Sequence, residues 1–177
     1  MFEDFRKDYK RHGSYLLEPG VFVMAVYRFG RWKNTLPKPA RWVANKFYRV
    51  GFLATQAYMG CHVPCELEFG ELPHLVHAKD LHLHPGVKIG DRVGLMHGIT
   101  VATTVDRPGV PELGDDVFVG AGACIMGPVK IGDGARIAPN SLVLNDVPAG
   151  TTAIGVPARI IRAPKKKEAD DAASKKA

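Results

Sequence analysis

Residues 113–143 read LGDDVFVGAGACIMGPVKIGDGARIAPNSLV, with an aliphatic residue at every sixth position. The register extends upstream to residue 89, and all its intervals are six residues except one of twelve. Small or β-branched residues form a second series, four positions after most members of the first. A period of six fits neither an α-helix nor an isolated strand, and it is typical of a β-solenoid with tight corners. The first series is Ile89, Leu95, Val101, Leu113, Val119, Ile125, Ile131, Ile137 and Val143.

Three six-residue sides make a turn of eighteen residues, and successive turns stack at about 4.8 Å, the spacing of paired strands. The aliphatic residues then form one inner column. Chance alternation in a Val- and Gly-rich β domain would not hold one register over nine hexads. We therefore predict a mainly β fold, a solenoid preceded by an α-helical region. An earlier series (Val63, Phe69, Leu75, Leu81 and Val87) is offset by two residues from Ile89, which predicts a longer corner between Val87 and Ile89.

Composition excludes several classes of protein. The 177 residues are 46% hydrophobic, which suffices for a packed core in one main domain. The net charge of +6 comes from basic residues scattered over 6–49 and in the tail, so we predict attraction for anionic small molecules and no nucleic-acid partner. Three cysteines cannot form a disulfide framework, and neither a membrane-spanning stretch nor a signal peptide is present. We expect a cytosolic protein.

The chain divides into three parts by composition. Residues 1–60 carry aromatic and basic residues at helical spacing, and residues 61–161 carry the solenoid pattern. Within the solenoid, residues 102–112 lose the strand pattern and are rich in Pro and Gly, which predicts an extruded loop of the kind that often carries binding residues. Residues 162–177 form a charged, Ala-rich tail that we predict to be disordered.

Two or three helices are predicted before the solenoid. Glu18-Pro19-Gly20 opens one helix, Pro37-Lys38-Pro39 separates it from the next, and Gly60 ends the region. One face of the first of these holds Phe22, Ala25, Val26 and Phe29, and a stripe on the second holds Val43, Phe47, Val50, Leu53 and Ala54. Packing within the protein is the favoured interpretation of that stripe. The alternative is that it lies on a membrane surface with Arg41, Lys46 and Arg49 beside it.

Histidines are the main candidates for chemistry, because six of the seven lie between His62 and His97 and imidazole transfers protons near neutral pH. With eighteen residues per turn plus the two-residue offset, His77 should lie under His97 on the adjacent turn. The same count places Asp80 near His62. A metal site is the rival use of these side chains, with Cys61, His62, Cys65, His82 and His84 as ligands, but no spacing matches a structural zinc pattern, and we expect no metal.

Three segments resemble the hexapeptide-repeat acyltransferases, and within them the serine O-acetyltransferase branch with its relatives in polysaccharide biosynthesis. These segments are residues 114–123, residues 131–143 and Gly155-Val-Pro-Ala-Arg-Ile160. The helical segment Glu18–Trp32 is also similar to that branch, so the resemblance runs from about Pro19 to Ile161. It implies a left-handed parallel β-helix, a homotrimer that pairs further through its N-terminal helices, and acetyl-CoA as donor. The implied activity is acetyl transfer to L-serine, which gives O-acetylserine for cysteine biosynthesis.

The resemblance also assigns roles to residues. His77 matches the general base that deprotonates the acceptor hydroxyl in a direct transfer, and His97 becomes its active-site neighbour. Donor-binding residues carry over as Gly120, Ala121, Ala138 and Arg159. Acceptor-side candidates are His62, Asp80 and Arg107.

Two departures from the family bear on the acceptor. His62 stands where the family has an orienting aspartate, and the family's loop Arg-His pair falls on Gly109-Val110, with Arg107 two residues away. A sugar or amino sugar of polysaccharide biosynthesis is therefore the alternative acceptor. A metal-binding β-helix like the γ-carbonic anhydrases, or a non-catalytic scaffold, is the alternative of a different class.

Overall fold

The computed structural model describes residues 2–13 and 18–162. Three helices come first: α1 (Phe2–Arg11), α2 (Pro19–Lys33) and α3 (Lys38–Met59). Proline suits the first turn of α2, where a backbone N–H has no helical partner. Gly60 ends α3 with φ of 65°, a left-handed conformation that glycine adopts without a steric penalty. The helix start at Pro19 and the stop at Gly60 were both predicted from these residues.

Fourteen short strands follow in the described residues. They are β1 (Glu68–Phe69), β2 (His74–Leu75), β3 (His82–Leu83), β4 (Lys88–Ile89), β5 (Gly94–Leu95), β6 (Thr100–Ala102), β7 (Glu112–Leu113), β8 (Phe118–Val119), β9 (Cys124–Met126), β10 (Lys130–Ile131), β11 (Arg136–Ile137), β12 (Leu142–Val143), β13 (Thr151–Ile154) and β14 (Arg159–Arg162).

The strands form three parallel sheets that are the faces of a prism. Face one has the order β1-β4-β7-β10, face two β2-β5-β8-β11-β13-β14, and face three β3-β6-β9-β12. Only β14 runs antiparallel to its neighbour among the described strands. The nine hexad positions are at most 4% exposed, and the second series is at most 2% exposed. A parallel β-helix with both series inside is therefore confirmed.

Gly-Asp pairs close the edge between faces one and two. The Asp115 carboxylate accepts the backbone N–H of Asp91 at 2.8 Å, and Asp133 does the same for Asp115 at 2.9 Å. A Cβ on Gly90 would lie 2.5 Å from the Asp115 carboxylate oxygen, and one on Gly114 would meet Asp133 as closely. Glycine is therefore required beside each aspartate, which explains the Gly-Asp repeats in the sequence.

The longer corner is not where the sequence predicted it. Strand β1 pairs with β4, and β2 with β5, at an offset of 20 residues, but His82 of β3 pairs with Thr100 at an offset of 18. The two extra residues therefore lie between β2 and β3, and not between Val87 and Ile89. Leu81 and Val87 misled the count because they hold second-series positions, two residues before the inward residue of the next strand.

The predicted packing of the α3 stripe within the protein also needs correction. Val43, Phe47, Val50 and Leu53 of α3 are 47, 66, 69 and 60% exposed, whereas its buried residues are Ala44 and Thr55. On α2 the buried apolar side chains are Val21, Val23, Met24 and Tyr27, and Phe22 is exposed. Small residues allow α3 to approach α2 closely, as where Val26 lies 3.2 Å from the Cβ position of Gly51. The apolar stripe of α3 is therefore not packed against the described parts of the chain.

The remaining segments complete the solenoid. The loop between β6 and β7 spans 103–111, one residue shorter at each end than predicted, and Val105 is fully exposed on it. The predicted disordered tail, apart from its first residue at the end of β14, lies outside the described residues. None of the helices described is both long and apolar enough to cross a membrane.

Candidate active site

The predicted catalytic and donor-binding residues lie along one edge of the prism, between faces two and three. We call it the histidine edge; it consists of residues 76–81, 96–99, 120–123 and 138–141 in four successive turns. His77 and His97 occupy its first two levels, and Gly120, Ala121 and Ala138 occupy the next two. Sequence positions up to 61 residues apart are thereby stacked at about 4.8 Å per turn.

Backbone hydrogen bonds set the alignment of the histidines. Val76 N–H donates to the carbonyl of Leu95 at 2.8 Å, which continues the offset of 20 and places His77 opposite His97. Gly98 N–H donates to the carbonyl of Lys79 at 2.8 Å. This hydrogen bond fits the 18-residue offset with which β3 and β6 pair on the next face. Residues 77–79 therefore all face His97 on the turn above. The geometric expectation that His77 lies beneath His97 agrees with this alignment.

The longer corner holds His77 in an uncommon backbone conformation. His77 has φ of 51° and Asp80 has φ of 52°, both in the left-handed region, where a side chain costs roughly 1–2 kcal/mol. In the turns above, the position of Asp80 is taken by Gly98, Gly122 and Asn140, also with positive φ. His77 has no positive-φ counterpart in the described turns, so the insertion itself creates its backbone geometry and leaves its side chain exposed.

Helix α1 packs against the strand that leads into this corner. The His12 ring accepts the Leu75 N–H at Nε2, 3.0 Å away, while its Nδ1 lies 2.7 Å from the Asp8 carbonyl. The His74 ring stands edge-on to His12 with centroids 4.9 Å apart. Burial, and then the nearby His12, lower the pKa of His74. Sequence analysis missed these contacts because His12 is 62 residues from His74 and 63 from Leu75, and because α1 lies outside the repeat.

The backbone register aligns His62 with His82 on the adjacent turn, and it aligns Asp80 with the end of α3. His62 pairs with His82 across a backbone bridge, and its ring packs on Phe52 with centroids 5.3 Å apart. Burial, and then the neighbouring His82, lower the pKa of His62. The Asp80 N–H instead donates to the carbonyl of Met59 at 2.8 Å, and its carboxylate lies against Gly60 at the end of α3. His62 and His82, with Gln56 and Gly60, line a small open pocket.

The donor-binding candidates line the upper part of the histidine edge. Gly120 N–H donates to the carbonyl of Ile137 and Ala138 N–H to that of Ala153, so neither donor is free for a ligand. A Cβ on Gly120 would lie 2.6 Å from the nitrogen of Pro139, so this glycine is needed for close approach of two turns. Ala121 and Ala138 are half-buried and leave a shallow, smooth surface.

Arg159 lies at the upper end of the same edge. Arg159 of β14 pairs with Ile154 of β13. Ile154 directly follows Ala153, whose carbonyl accepts the N–H of Ala138. Arg159 is exposed and thus available to an anionic group. From the level of His77 to that of Ile154 there are four steps, which together span about 19 Å.

Arg107 is not brought to this edge within one protomer. Its guanidinium donates to the carbonyl of Leu144 at 2.9 Å, beyond β12 at the edge between faces three and one. The candidate acceptor residues are therefore divided between two edges of the prism.

The rival metal and thiol chemistries find little in the described residues. No group of three or more His, Cys, Asp or Glu side chains there has the geometry to hold a metal ion. Cys61 and Cys65 are fully buried, and burial raises the pKa of both thiols. A buried, protonated thiol is a poor nucleophile.

Comparison with known proteins identifies the family. The family described as bacterial transferase hexapeptide (six repeats) matches residues 111–145. A serine acetyltransferase of Helicobacter pylori is 32% identical over 151 residues, which are 82% of this chain and 83% of that protein. The chain belongs to the serine acetyltransferase family. The Mycobacterium tuberculosis serine acetyltransferase is 30% identical over 145 residues, 81% of this chain and 61% of its own length.

Solved structures of the family share the fold. Serine acetyltransferase of Brucella abortus, solved in complex with coenzyme A, superposes with a TM-score of 0.76 at 27% identity and covers 92% of this chain and 66% of its own. The predicted fold class is confirmed. This member of the serine acetyltransferase family is accordingly an acetyltransferase that takes its acetyl group from acetyl-CoA.

Proposed function

We propose that this enzyme transfers the acetyl group of acetyl-CoA to the hydroxyl of L-serine, with His77 as the general base. The observation that carries the proposal is the single edge that stacks His77, His97, Ala121 and Ala138 below Arg159. A smooth strip with a cation at one end and exposed imidazoles at the other suits a long anionic thioester. The names of the relatives supply the acceptor.

The chemistry needs one proton acceptor. The His77 imidazole removes the proton from the serine hydroxyl as its oxygen attacks the thioester carbonyl carbon. The carbon–sulfur bond breaks, and the imidazolium returns the proton to the departing thiolate. The products are O-acetylserine and coenzyme A. In this proposal His97, one turn above, hydrogen-bonds the carbonyl oxygen as negative charge develops on it.

Assembly as a trimer is part of the proposal. His77 is exposed in the single protomer, and Arg107 lies on another edge. A neighbouring subunit that presents its Arg107 edge to the histidine edge would bring a cation to the serine carboxylate.

The three cysteines are free thiols, which suits a reducing, cytosolic compartment.

A sugar acceptor is the second candidate. It is favoured by the loop 103–111, which holds no histidine, and by Arg107, whose guanidinium is already bonded to a backbone carbonyl. A sugar hydroxyl needs no carboxylate-binding cation.

The acceptor is tested by incubating the enzyme with acetyl-CoA and single acceptors, and by identifying the acetylated product by mass spectrometry. Serine, homoserine, glucose, galactose and their amino sugars form the panel. Turnover with L-serine at least tenfold above every sugar supports the proposal. Turnover with sugars alone transfers the activity to glycan modification, and none with any acceptor overturns the proposal.

A further inference from the structure

Helix α3 presents its large apolar side chains to solvent. Val43, Phe47, Val50 and Leu53 recur at the spacing of one helical face, and each is about half to two thirds exposed. Trp42 beside them is 63% exposed. We call these five residues the α3 outer face. Contiguous apolar surface of this kind marks a site of interaction on a folded protein.

The outer face cannot turn inward without loss of existing contacts. On the opposite side of α3, Ala44 and Thr55 are buried, and Tyr48 accepts the backbone N–H of Cys65 at 3.1 Å. Tyr48 also stacks on Phe52 with ring centroids 5.6 Å apart. These contacts fix the rotation of the helix about its axis. The exposed stripe is therefore a stable feature of the fold.

All the charged residues of α3 carry a positive charge. Between residues 19 and 65 the sequence contains no Asp or Glu, whereas it contains seven basic residues. On α3 itself Lys46 lies within the stripe, with its ammonium 3.7 Å from the centroid of the Trp42 ring. Four of the seven lie on α3: Lys38, Arg41, Lys46 and Arg49. On α2, Arg28 is paired with Asp8 and Lys33 is buried, so these two do not border the outer face.

We infer that the α3 outer face docks on an anionic phospholipid surface, with α3 lying in the plane of the interface. An apolar face bordered by cations, with Trp at its edge, is the pattern of helices that bind the headgroup region. None of the described helices is suited to cross a membrane, so the contact is peripheral.

A two-fold pair of copies of this chain is a poorer occupant of the same face. Symmetric pairing sets like residues near one another, so Lys38, Arg41, Lys46 and Arg49 of both copies would come together. No acidic residue in 19–65 is present to offset that repulsion. An anionic lipid surface instead complements every charge on the helix. The inference does not depend on which acceptor the enzyme acetylates.

The test uses the full chain and vesicles of phosphatidylcholine, either alone or mixed with phosphatidylglycerol. The two tryptophans are Trp32 and Trp42, so Trp32→Phe leaves Trp42 as a single reporter in the outer face. We expect co-sedimentation and a blue shift of Trp42 fluorescence with the anionic vesicles at low salt. At high salt or without phosphatidylglycerol, the fraction of protein that sediments with the vesicles should fall at least tenfold, and the blue shift of Trp42 should disappear.

Two variants separate the apolar and the electrostatic parts of the contact. The double variant Phe47→Ser with Val50→Ser should reduce vesicle binding at least tenfold, and so should Lys46→Glu with Arg49→Glu. Val105→Ser, at a fully exposed apolar position on the solenoid, is the control and should leave binding unchanged. Circular dichroism checks that each variant is folded.

Absence of binding to anionic vesicles at low salt would overturn the inference, as would equal binding to both kinds of vesicle. Sedimentation velocity adds a further arm. If the serine variants change the oligomeric state of the free protein while vesicle binding stays the same, the face is an interface between copies of this chain and the inference is wrong.

Discussion

His77 and Asp80 both adopt the left-handed backbone conformation, with φ of 51° and 52°, and they bound the one corner of the histidine edge that is two residues longer than the three above it. The insertion lifts residues 77–79 out of the regular repeat, opposite His97 of the next turn. Backbone strain of this kind persists where the surrounding structure over-determines it, often at functional sites. The corner is therefore the feature of the solenoid most specific to its proposed chemistry.

Deletion of Ala78 and Lys79 tests the longer corner. The shortened segment, Leu75-Val76-His77-Asp80-Leu81, would match Leu95-Met96-His97-Gly98-Ile99 of the next turn. We expect the solenoid to fold, because that shorter corner is already stable one turn above. Activity should fall roughly 100-fold or more, because His77 would be displaced by more than 1 Å. Acetyl-CoA turnover and circular dichroism measure the two outcomes.

Lys79→Ala is the control for this deletion, because it keeps the corner length and the backbone carbonyl that accepts Gly98 N–H. It should retain activity within threefold. A folded deletion variant with normal turnover would show that the long corner is dispensable.

Stability should fall as the solution is made acidic. The folded-state pKa values of His62 and His74 are lowered from 6.5, chiefly by burial. Between the folded and unfolded pKa the unfolded chain binds more protons, so stability is full above about pH 6.5 and is lost as pH falls below it. Urea denaturation at pH 7.5 and 5.5 should show this loss, and His62→Gln combined with His74→Gln should reduce it. Stability that is constant or rises toward pH 5.5 would contradict the assignment.

Asp8 should be important for the docking of α1. Its side chain is 1% exposed and its carboxylate lies 2.9 Å from Nε of Arg28, whose side chain is 17% exposed. Burial acts to lower the pKa of Arg28, but the hydrogen bond to Asp8 and the charges of Asp8 and its neighbours together outweigh burial and raise this pKa above its ordinary value. Asp8→Asn removes the charge partner and should cost about 2–4 kcal/mol of unfolding free energy.

Hydrogen exchange should then show faster exchange of α1 amides, while the solenoid amides stay protected. Glu3→Gln on the exposed part of the same helix is the control and should change stability by less than about 0.5 kcal/mol. Equal stability of the two variants would mean that the ion pair does not hold α1.

Gly120→Ala tests the close approach of turns at the donor strip. The added Cβ would lie 2.6 Å from the nitrogen of Pro139 and 2.9 Å from the carbonyl oxygen of Ile137, both backbone atoms that cannot move aside alone. We expect a loss of about 1–3 kcal/mol, as for other overpacked sites, and weaker binding of coenzyme A measured by calorimetry. Gly86→Ala, whose nearest contact would be an ordinary 3.4 Å, should be almost neutral. Similar stability of both variants would contradict the packing described here.

The inward residues of the solenoid could be predicted from sequence because each level repeats the same constraint. Ile125 or Ile137 faces the column for the same reason as every sixth residue, so one register identifies many core positions. The position of the insertion could not be predicted, because Leu81 and Val87 continue the period of six while they occupy the second series. Because both series are apolar and lie two residues apart, an insertion of two residues moves the period of six from one series to the other without interrupting it.

The helices were harder to interpret for a different reason. Apolar periodicity on α3 shows which residues share a face, but not whether that face meets the protein or its surroundings. Ala44, Gly51 and Thr55 carry weak hydrophobic signals, yet they form the side that packs. The contact of His12 with Leu75 likewise joins segments that no local pattern connects.

The most direct test of the central claim compares wild type with His77→Asn in a thiol-release assay with acetyl-CoA and saturating L-serine. Asparagine tolerates the left-handed conformation, so it removes the imidazole and keeps the backbone of the corner. We predict that kcat falls by about 100-fold to 10,000-fold while the melting temperature and the affinity for coenzyme A change little. A folded His77→Asn enzyme with kcat within threefold of wild type would contradict the role of His77 as general base.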